Sequence, residues 1–178
     1  MNHLVVLRGN SASGKTTLAE GLQRALGRGT ANIGQDHLRR VILREHDVPD
    51  GDNIELIAHT VRYCLSLAYH VIVEGIFYSP HYGAMLRRLL DDHDGPCHVL
   101  YLDVPLEETI RRHRDKAMAD VPEDKLREWF NPADLLGVPG EVVIDGRADQ
   151  ETVLAAALAE IGQIAAPRSA SQHPARFL

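Results

Sequence analysis

Residues 4–17 read LVVLRGNSASGKTT, an apolar stretch followed by one rich in glycine and small residues. Within it, residues 9–16 match the pattern G-x-x-x-x-G-K-T, and a helix is predicted from Lys15 onward. Glycine and small side chains let successive backbone N–H groups turn around a phosphate, and the amino end of the helix adds a favourable dipole. The stretch therefore predicts a strand, a phosphate-binding loop (the P-loop, residues 9–17) and a helix.

The residue types in the P-loop predict how it holds a nucleotide. Lys15 is expected to bridge the β- and γ-phosphates of ATP, and the hydroxyl of Thr16 to ligate Mg²⁺. Glu74 ends the apolar run VIVE and is predicted to hold Mg²⁺ through a water, the alternative being an ordinary strand-end carboxylate. ATP and Mg²⁺ are thus the predicted cofactors. The other predicted nucleotide contacts in the loop are Gly9, Asn10, Ser11, Ala12, Ser13, Gly14 and Thr17.

The rest of the chain alternates short apolar runs with amphipathic stretches, which is typical of βαβ units around a parallel sheet. Strands are predicted at residues 4–8, 30–34, 71–76, 98–103 and 141–145, and helices at about 15–26, 37–44, 54–69, 80–92, 106–116, 123–130 and 150–165. We therefore predict one α/β domain over residues 1–166, with a small lid at about 111–130. Residues 167–178 are polar and aperiodic, and a mobile tail is predicted there.

Length and charge exclude several classes of protein. The chain has 178 residues, which suits a single domain. Its net charge is −6, whereas a protein that binds duplex DNA usually carries an excess of basic residues. Its two cysteines form neither a metal-ligand spacing nor a disulfide framework. No apolar run approaches the roughly 18 residues of a membrane span, and the first one is too short for a signal peptide. We expect a cytoplasmic protein with no membrane association.

The P-loop alone does not distinguish a switch, a motor and a kinase. The N-K-x-D motif with which a GTPase reads its base is absent from the sequence. A transport or AAA-type ATPase needs a longer chain, and here the apolar strand runs into Glu74-Gly75 rather than the Asp-Glu pair common in motors. A kinase therefore remains the favoured class.

Asp36 follows the second predicted strand, with Arg39 and Arg40 three and four residues later on the same side of a helix. Two roles are open for it from the residues alone. Asp is favoured as a helix N-cap, where its carboxylate accepts free N–H groups. A carboxylate at the carboxyl end of a strand next to the P-loop is also placed to act as a general base for an acceptor hydroxyl.

A second group of cations, Arg111, Arg112, Arg114 and Lys116, ends the helix that follows the fourth strand. The helix dipole favours cations there, which accounts for one or two of them. Cations entering a lid would also neutralise charge on a transferring phosphoryl group, and this interpretation is favoured.

Trp129 and Phe130 are predicted to anchor the segment after the lid to the core. Phe77, Tyr78 and Tyr82 either form an acceptor platform or pack internally, and adenine is expected between the lid base and residues 146–147.

The sequence resembles the AAA-33-type small P-loop kinases, which include polynucleotide 5′-hydroxyl kinases, chloramphenicol phosphotransferase and zeta toxins. The resemblance rests on five strings: GNSASGKTT, QDHLRR, VIVEGI, LDVPLEETIRRHRDK and VPEDKLREWF. The resemblance covers about residues 4–165 and implies a P-loop NTPase kinase fold, with a five-stranded, mostly parallel sheet flanked by helices and an arginine-bearing lid. By this resemblance Asp36 is similar to the family's catalytic base and Arg39 to an arginine that positions base and acceptor. Arg112 is similar to a lid arginine that contacts phosphate, and Lys116 stands where a second lid arginine is usual, which weakens a bidentate contact.

The reaction implied is transfer of the γ-phosphate of ATP to an alcohol. A small-molecule acceptor (an antibiotic, nucleoside or sugar-like alcohol) is ranked first, because the chain has only three lysines and a net charge of −6. A DNA or RNA 5′-hydroxyl is the alternative, since Arg39, Arg40 and Arg44 supply part of a cationic groove. A nucleotide-binding regulatory protein without transfer activity is the third hypothesis. The oligomeric state is left open.

Overall fold

The computed structural model describes residues 1–115 and 122–162. The strands are β1 (Leu4–Gly9), β2 (Thr30–Gly34), β3 (His70–Gly75), β4 (Cys97–Asp103) and β5 (Glu141–Asp145). The helices are α1 (Lys15–Leu26), α2 (Asp52–Ser66), α3 (Ser79–Asp91), α4 (Leu106–Asp115), α5 (Glu123–Trp129) and α6 (Gln150–Ile161), with a π-helical segment at His37–Leu43.

The described strands form one parallel sheet in the order β2-β3-β1-β4-β5. The first strand therefore lies between β3 and β4, and the loop that follows it opens at the carboxyl edge of the sheet. The register brings the strand ends together there, with Gly34 of β2 beside Glu74 of β3, and Gly9 of β1 beside Leu102 of β4. This edge carries the chemistry-bearing residues.

Both faces of the sheet are covered, which explains why the central strands read as continuous apolar runs. Side chains alternate along β1, so Leu4 and Val6 pack with α2 and α3, while Val5 and Leu7 pack with α1 and α6. All six residues of β1 and all six of β3 are buried. The two apolar layers hold the carboxyl edge of the sheet in a fixed position.

The predicted fold class is confirmed, and each predicted strand lies within one residue of its observed bounds. The predicted helix at 54–69 is shifted, because α2 begins at Asp52, whose backbone N–H donates to the carboxylate of Glu45 at 2.8 Å. The helix ends before Ala68, which has a left-handed φ of 63°. The predicted helix at 37–44 is a π-helical segment instead. Part of the predicted lid, at residues 116–121, and the predicted tail at 167–178 lie outside the described residues.

Candidate active site

The P-loop follows β1 and leads directly into α1. Gly9 has a φ of 150°, and a β-carbon there would lie 2.6 Å from the carbonyl oxygen of Leu102. Gly14 has a φ of 101° and caps α1. Both positions need glycine, the first because the neighbouring strand is close and both because of the backbone conformation. The sequence pattern and the strand, loop and helix geometry therefore agree.

Lys15 lies across the mouth of the P-loop and is buried. Its Nζ donates to the carbonyl oxygen of Asn10 at 2.8 Å and to the hydroxyl of Ser13 at 3.4 Å. The ammonium group is therefore held against the P-loop by two of its residues, and the contact with the terminal phosphates stays a prediction.

Thr16 and Glu74 come together beside the loop. The hydroxyl of Thr16 donates to Oε1 of Glu74 at 3.1 Å. Burial raises the pKa of the Glu74 carboxyl above its ordinary value, while the charge of Lys15 and the hydrogen bond from Thr16 act in the opposite direction. A hydroxyl and a carboxylate are oxygen donors of the kind that Mg²⁺ prefers, so this pair fits the predicted metal.

Asp36 lies two residues beyond the end of β2, at the same sheet edge as Glu74. Its carboxylate makes no capping hydrogen bond with the helical segment that follows. Instead, Oδ1 accepts from Arg39 at 2.9 Å and pairs with Nε of Arg40 at 3.2 Å. The side chain is 61% exposed, whereas that of Arg39 is buried. Asp36 therefore stands at the N-cap position without a capping side-chain bond, and its exposed carboxylate is held by two guanidinium groups.

Arg112 is the arginine of α4 that reaches the P-loop. Its Nη1 donates to the carbonyl oxygen of Ser13 at 3.0 Å and its Nη2 to that of Gly146 at 2.7 Å, while Nε bonds to Glu108. It lies in a cavity of about 630 Å³ between the loop, α4 and the residues after β5, the region predicted to hold adenine. Lys116 lies outside the described residues.

The other described arginines of α4 have different partners. Arg111 pairs with Glu108 and Asp115 of its own helix. Arg114 pairs with Glu123, which joins α4 to α5. Of the described cations of α4, Arg111 and Arg112 line the cavity beside the P-loop, and Arg112 alone among them donates to the loop itself. Their joint action on a transferring phosphoryl group stays a prediction.

A second cavity, of about 950 Å³, lies on the other side of the P-loop start, and we call it the acceptor cavity. It is lined by the start of the loop, by Arg39, Arg40 and Arg44, by the residues after β3, and by the segment after α5. Trp129 and Tyr78 lie on its wall and are 46% and 38% exposed. Of the two predicted anchors, Phe130 is half-buried, whereas the prediction for Trp129 is wrong, because Leu126 is the buried residue of α5. Phe77 and Tyr82 pack internally and are fully buried.

Asn10 connects the P-loop to the segment after α5. Its side-chain amide donates to the carbonyl oxygen of Asn131 and its amide oxygen accepts from the N–H of Asn131, both at 2.9 Å. Asn10 also donates to the hydroxyl of Tyr101 at 3.2 Å. This connection was not predicted from sequence, because the two asparagines are 121 positions apart.

Asp134 also lines the acceptor cavity. It accepts from the fully buried Arg8 at 2.9 Å and from the backbone N–H of Ser79 at 2.9 Å. Arg8 also donates to the carbonyl oxygen of Phe77. Burial lowers the pKa of the Arg8 guanidinium below its ordinary value, while Asp134 and Glu141 act to raise it. The only sequence signal for this network was an arginine inside an otherwise apolar strand.

Three features together define the P-loop kinase fold. The P-loop follows the central strand of a parallel sheet, a threonine and a carboxylate lie as a pair beside the loop, and an arginine reaches the loop from α4. The chain belongs to the AAA domain family AAA_33, whose model matches residues 4–134. The family resemblance drawn from the sequence is thereby confirmed. A comparison with curated proteins gives no match.

Solved structures of similar fold include several kinases. A gluconokinase from Sinorhizobium meliloti has a TM-score of 0.67 at 17% identity, covering 89% of this chain and 91% of its own. An APS kinase from Mycobacterium tuberculosis, solved with AMPPNP and APS, has a TM-score of 0.69 at 18% identity, covering 90% and 97%. A sugar kinase from Janibacter has a TM-score of 0.66 at 22% identity, covering 90% and 94%. Among the described helices, none combines the length and apolar composition that crossing a membrane requires.

Proposed function

We propose that this protein is an ATP-dependent kinase that transfers the γ-phosphate of MgATP to a hydroxyl group of a small molecule bound in the acceptor cavity. The observation that carries the proposal is the arrangement around Asp36. Its carboxylate is bound by Arg39 and Arg40, both of which line the acceptor cavity, and it makes no capping bond. The kinase activity of solved structures with this fold supports the same reaction class.

In the proposed reaction, the acceptor hydroxyl gives its proton to the carboxylate of Asp36 while its oxygen forms a bond to the γ-phosphorus. The bond between that phosphorus and the β,γ-bridging oxygen breaks, and ADP leaves. Arg39 is buried and bound to both Asp36 and the carbonyl oxygen of Glu45, so it fixes the direction of the carboxylate. Little covalent chemistry is left to the protein, so positioning of the two substrates contributes most.

The phosphates are proposed to be held from two sides. The backbone N–H groups of the P-loop and the ammonium group of Lys15 bind them on one side, and the guanidinium group of Arg112 binds them from α4. Mg²⁺ would be held by Thr16 directly and by Glu74 through a water, and it would supply neutralisation of charge on the phosphate oxygens. The remaining predicted nucleotide contact, Lys116, stays a proposal from sequence.

The test is transfer of ³²P from γ-labelled ATP to a panel of nucleosides, aminoglycosides, chloramphenicol-like alcohols and sugar alcohols, with a 5′-hydroxyl oligonucleotide in parallel. Asp36→Asn is expected to bind MgATP with unchanged affinity and to lower transfer by at least about a hundredfold. Full transfer by this variant would remove Asp36 from the role of base. Tight MgATP binding with no labelled acceptor would favour the regulatory alternative, and a labelled oligonucleotide would favour the polynucleotide alternative.

Asp92→Asn is a matched control for that experiment. Asp92 is 60% exposed and pairs with Arg62 at 3.3 Å, so it resembles Asp36 in exposure and in having an arginine partner. It lies at the end of α3, and it does not line the acceptor cavity. The control variant is expected to retain full transfer, so a loss confined to Asp36→Asn would reflect its place in the site.

A further inference from the structure

The four carboxylates that line the acceptor cavity all bind other protein groups. Glu45 accepts from backbone N–H groups at the start of α2, Asp47 from the hydroxyl of Tyr82, Asp134 from Arg8, and Glu128 from Lys125. Their negative charge is therefore already balanced by hydrogen bonds or ion pairs within the protein. A cationic ligand would have to compete with these partners.

The arginines of the cavity differ from the carboxylates in this respect. Both terminal nitrogens of Arg39 are bound, to Asp36 and to the carbonyl oxygen of Glu45. Among the described residues, Arg40 pairs with Asp36 alone and does so through Nε. The side chain of Arg44 forms no ion pair or hydrogen bond with any residue in 1–115 or 122–162. The cavity thus has guanidinium donors on Arg40 and Arg44 that remain for a ligand.

The backbone places Arg44 in an uncommon conformation. Its φ is 54°, in the left-handed region, and its N–H donates to the carbonyl oxygen of Arg39, which also accepts from the N–H of Glu45 at 2.9 Å. A residue other than glycine pays about 1 kcal/mol or more for this conformation. The π-helical turn that ends here holds Arg44 at the cavity, and such strain is concentrated at functional sites.

Part of the cavity wall is aromatic. Tyr78 and Trp129 expose ring surface there, although both rings would be stabilised by burial. A ligand in the cavity therefore meets both guanidinium donors and aromatic surface. Guanidinium groups bind phosphate, sulfate and carboxylate through paired hydrogen bonds.

We infer that the acceptor is an anionic alcohol: a small molecule that carries a phosphate, sulfate or carboxylate group bound by Arg44 and Arg40, besides the hydroxyl that is phosphorylated. The inference rests on the proposed function and specifies its substrate class. The anionic group fixes one end of the acceptor, and the aromatic wall covers the remainder, so that the hydroxyl is directed toward Asp36 and the P-loop.

The single tryptophan of the chain makes binding measurable without knowing the natural acceptor. Trp129 lies on the cavity wall, so its fluorescence reports occupancy directly. The probes are matched pairs that differ in an anionic group: gluconate and glucose, glycerate and glycerol, and adenosine 3′-monophosphate and adenosine. In at least one pair, the anionic member is expected to bind about tenfold more tightly or better.

The preference is expected to depend on Arg44. Arg44→Gln should abolish the advantage of the anionic member, and Arg44→Lys should retain part of it, because an ammonium group keeps the charge but lacks the planar pair of donors. Arg88→Gln is the matched control, since Arg88 is an exposed arginine of α3 that pairs with Glu55 at 3.8 Å. It should leave the preference unchanged. Unchanged circular dichroism of each variant would show that the fold is retained.

Each of the following results would overturn the inference. They are equal binding within every pair or no change in emission up to about 10 mM ligand, a preference that survives Arg44→Gln, and tighter binding of a 5′-hydroxyl oligonucleotide than of every monomeric probe. Phosphoryl transfer to a neutral acceptor without preference for anions would refute the substrate class while leaving the kinase intact. Arg44-dependent anion binding with no transfer to any acceptor would refute the kinase and leave the anion site.

Discussion

Replacing Asn10 with Ala tests the connection between the P-loop and the segment after α5. The substitution removes two reciprocal hydrogen bonds with Asn131, at 2.9 Å each, and a third with the hydroxyl of Tyr101 at 3.2 Å. Each bond contributes about 0.5–1.5 kcal/mol, and a buried partner left unpaired costs more. Because Asn10 is buried, we expect the free energy of unfolding to fall by about 2–4 kcal/mol.

The assay is equilibrium unfolding in urea, followed by Trp129 fluorescence and by circular dichroism. Trp129 lies two residues from Asn131, so its emission also reports local release of the segment before global unfolding. Asn32→Ala is the control, because Oδ1 of this half-buried asparagine has no hydrogen-bond partner among the described residues. A loss below about 0.5 kcal/mol for Asn10→Ala, or an equal loss in the control, would refute the reasoning.

Two further predictions concern the nucleotide side and the opposite edge of the sheet. Arg112→Gln should weaken MgATP binding about tenfold by calorimetry, because the cation and its contacts with two backbone carbonyl groups are lost; unchanged affinity would contradict this role. Burial and the neighbouring His98 lower the pKa of His3 from 6.5 to about 4, so the unfolded chain binds more protons between these values. The free energy of unfolding should therefore fall by about 1 kcal/mol as the pH decreases through that window, allowing for solvent screening, and His3→Gln should flatten the dependence.

The strands and the P-loop were predictable because their signals are local. A parallel strand buried on both faces gives an apolar run, as in residues 71–73, and the loop must contain Gly9 and Gly14 for steric reasons. The π-helical segment at His37–Leu43 was predicted only as a helix, since the difference between helix types depends on hydrogen bonds that the residue pattern does not specify.

Asp36 shows what a structure adds to an ambiguous residue. Asp at a helix start suits a cap and a base equally well, and the sequence left both open. The observed carboxylate bonds to Arg39 and Arg40, which are three and four residues away, so the spacing was a correct guide to its neighbours. That the side chain makes no capping bond depends on the position of the carboxylate relative to the backbone N–H groups, which the residue pattern does not specify. The role of general base stays a prediction.

The walls of the acceptor cavity depend on contacts between residues that are distant in sequence. Trp129 is a large aromatic residue of the kind usually found in a core. It is exposed because Leu126 is the residue of α5 that packs inward. The partners of Arg8 lie 69 to 133 positions away. Periodicity and motif spacing carry no information on such pairs, which explains why the sequence predicts the P-loop and its geometry but not the walls of the acceptor cavity.

The P-loop is held from both sides by the region that contains α4 and α5. Arg112 of α4 donates to the carbonyl oxygen of Ser13, and Asn131, just after α5, is bound to Asn10. Within the loop, the N–H of Ser13 donates to the carbonyl oxygen of Asn10 at 3.3 Å. A displacement of α4 or of the segment after α5 must break or bend bonds to the loop that binds phosphate. The two cavities are therefore connected by one continuous set of hydrogen bonds, which runs from Arg112 through Ser13 and Asn10 to Asn131.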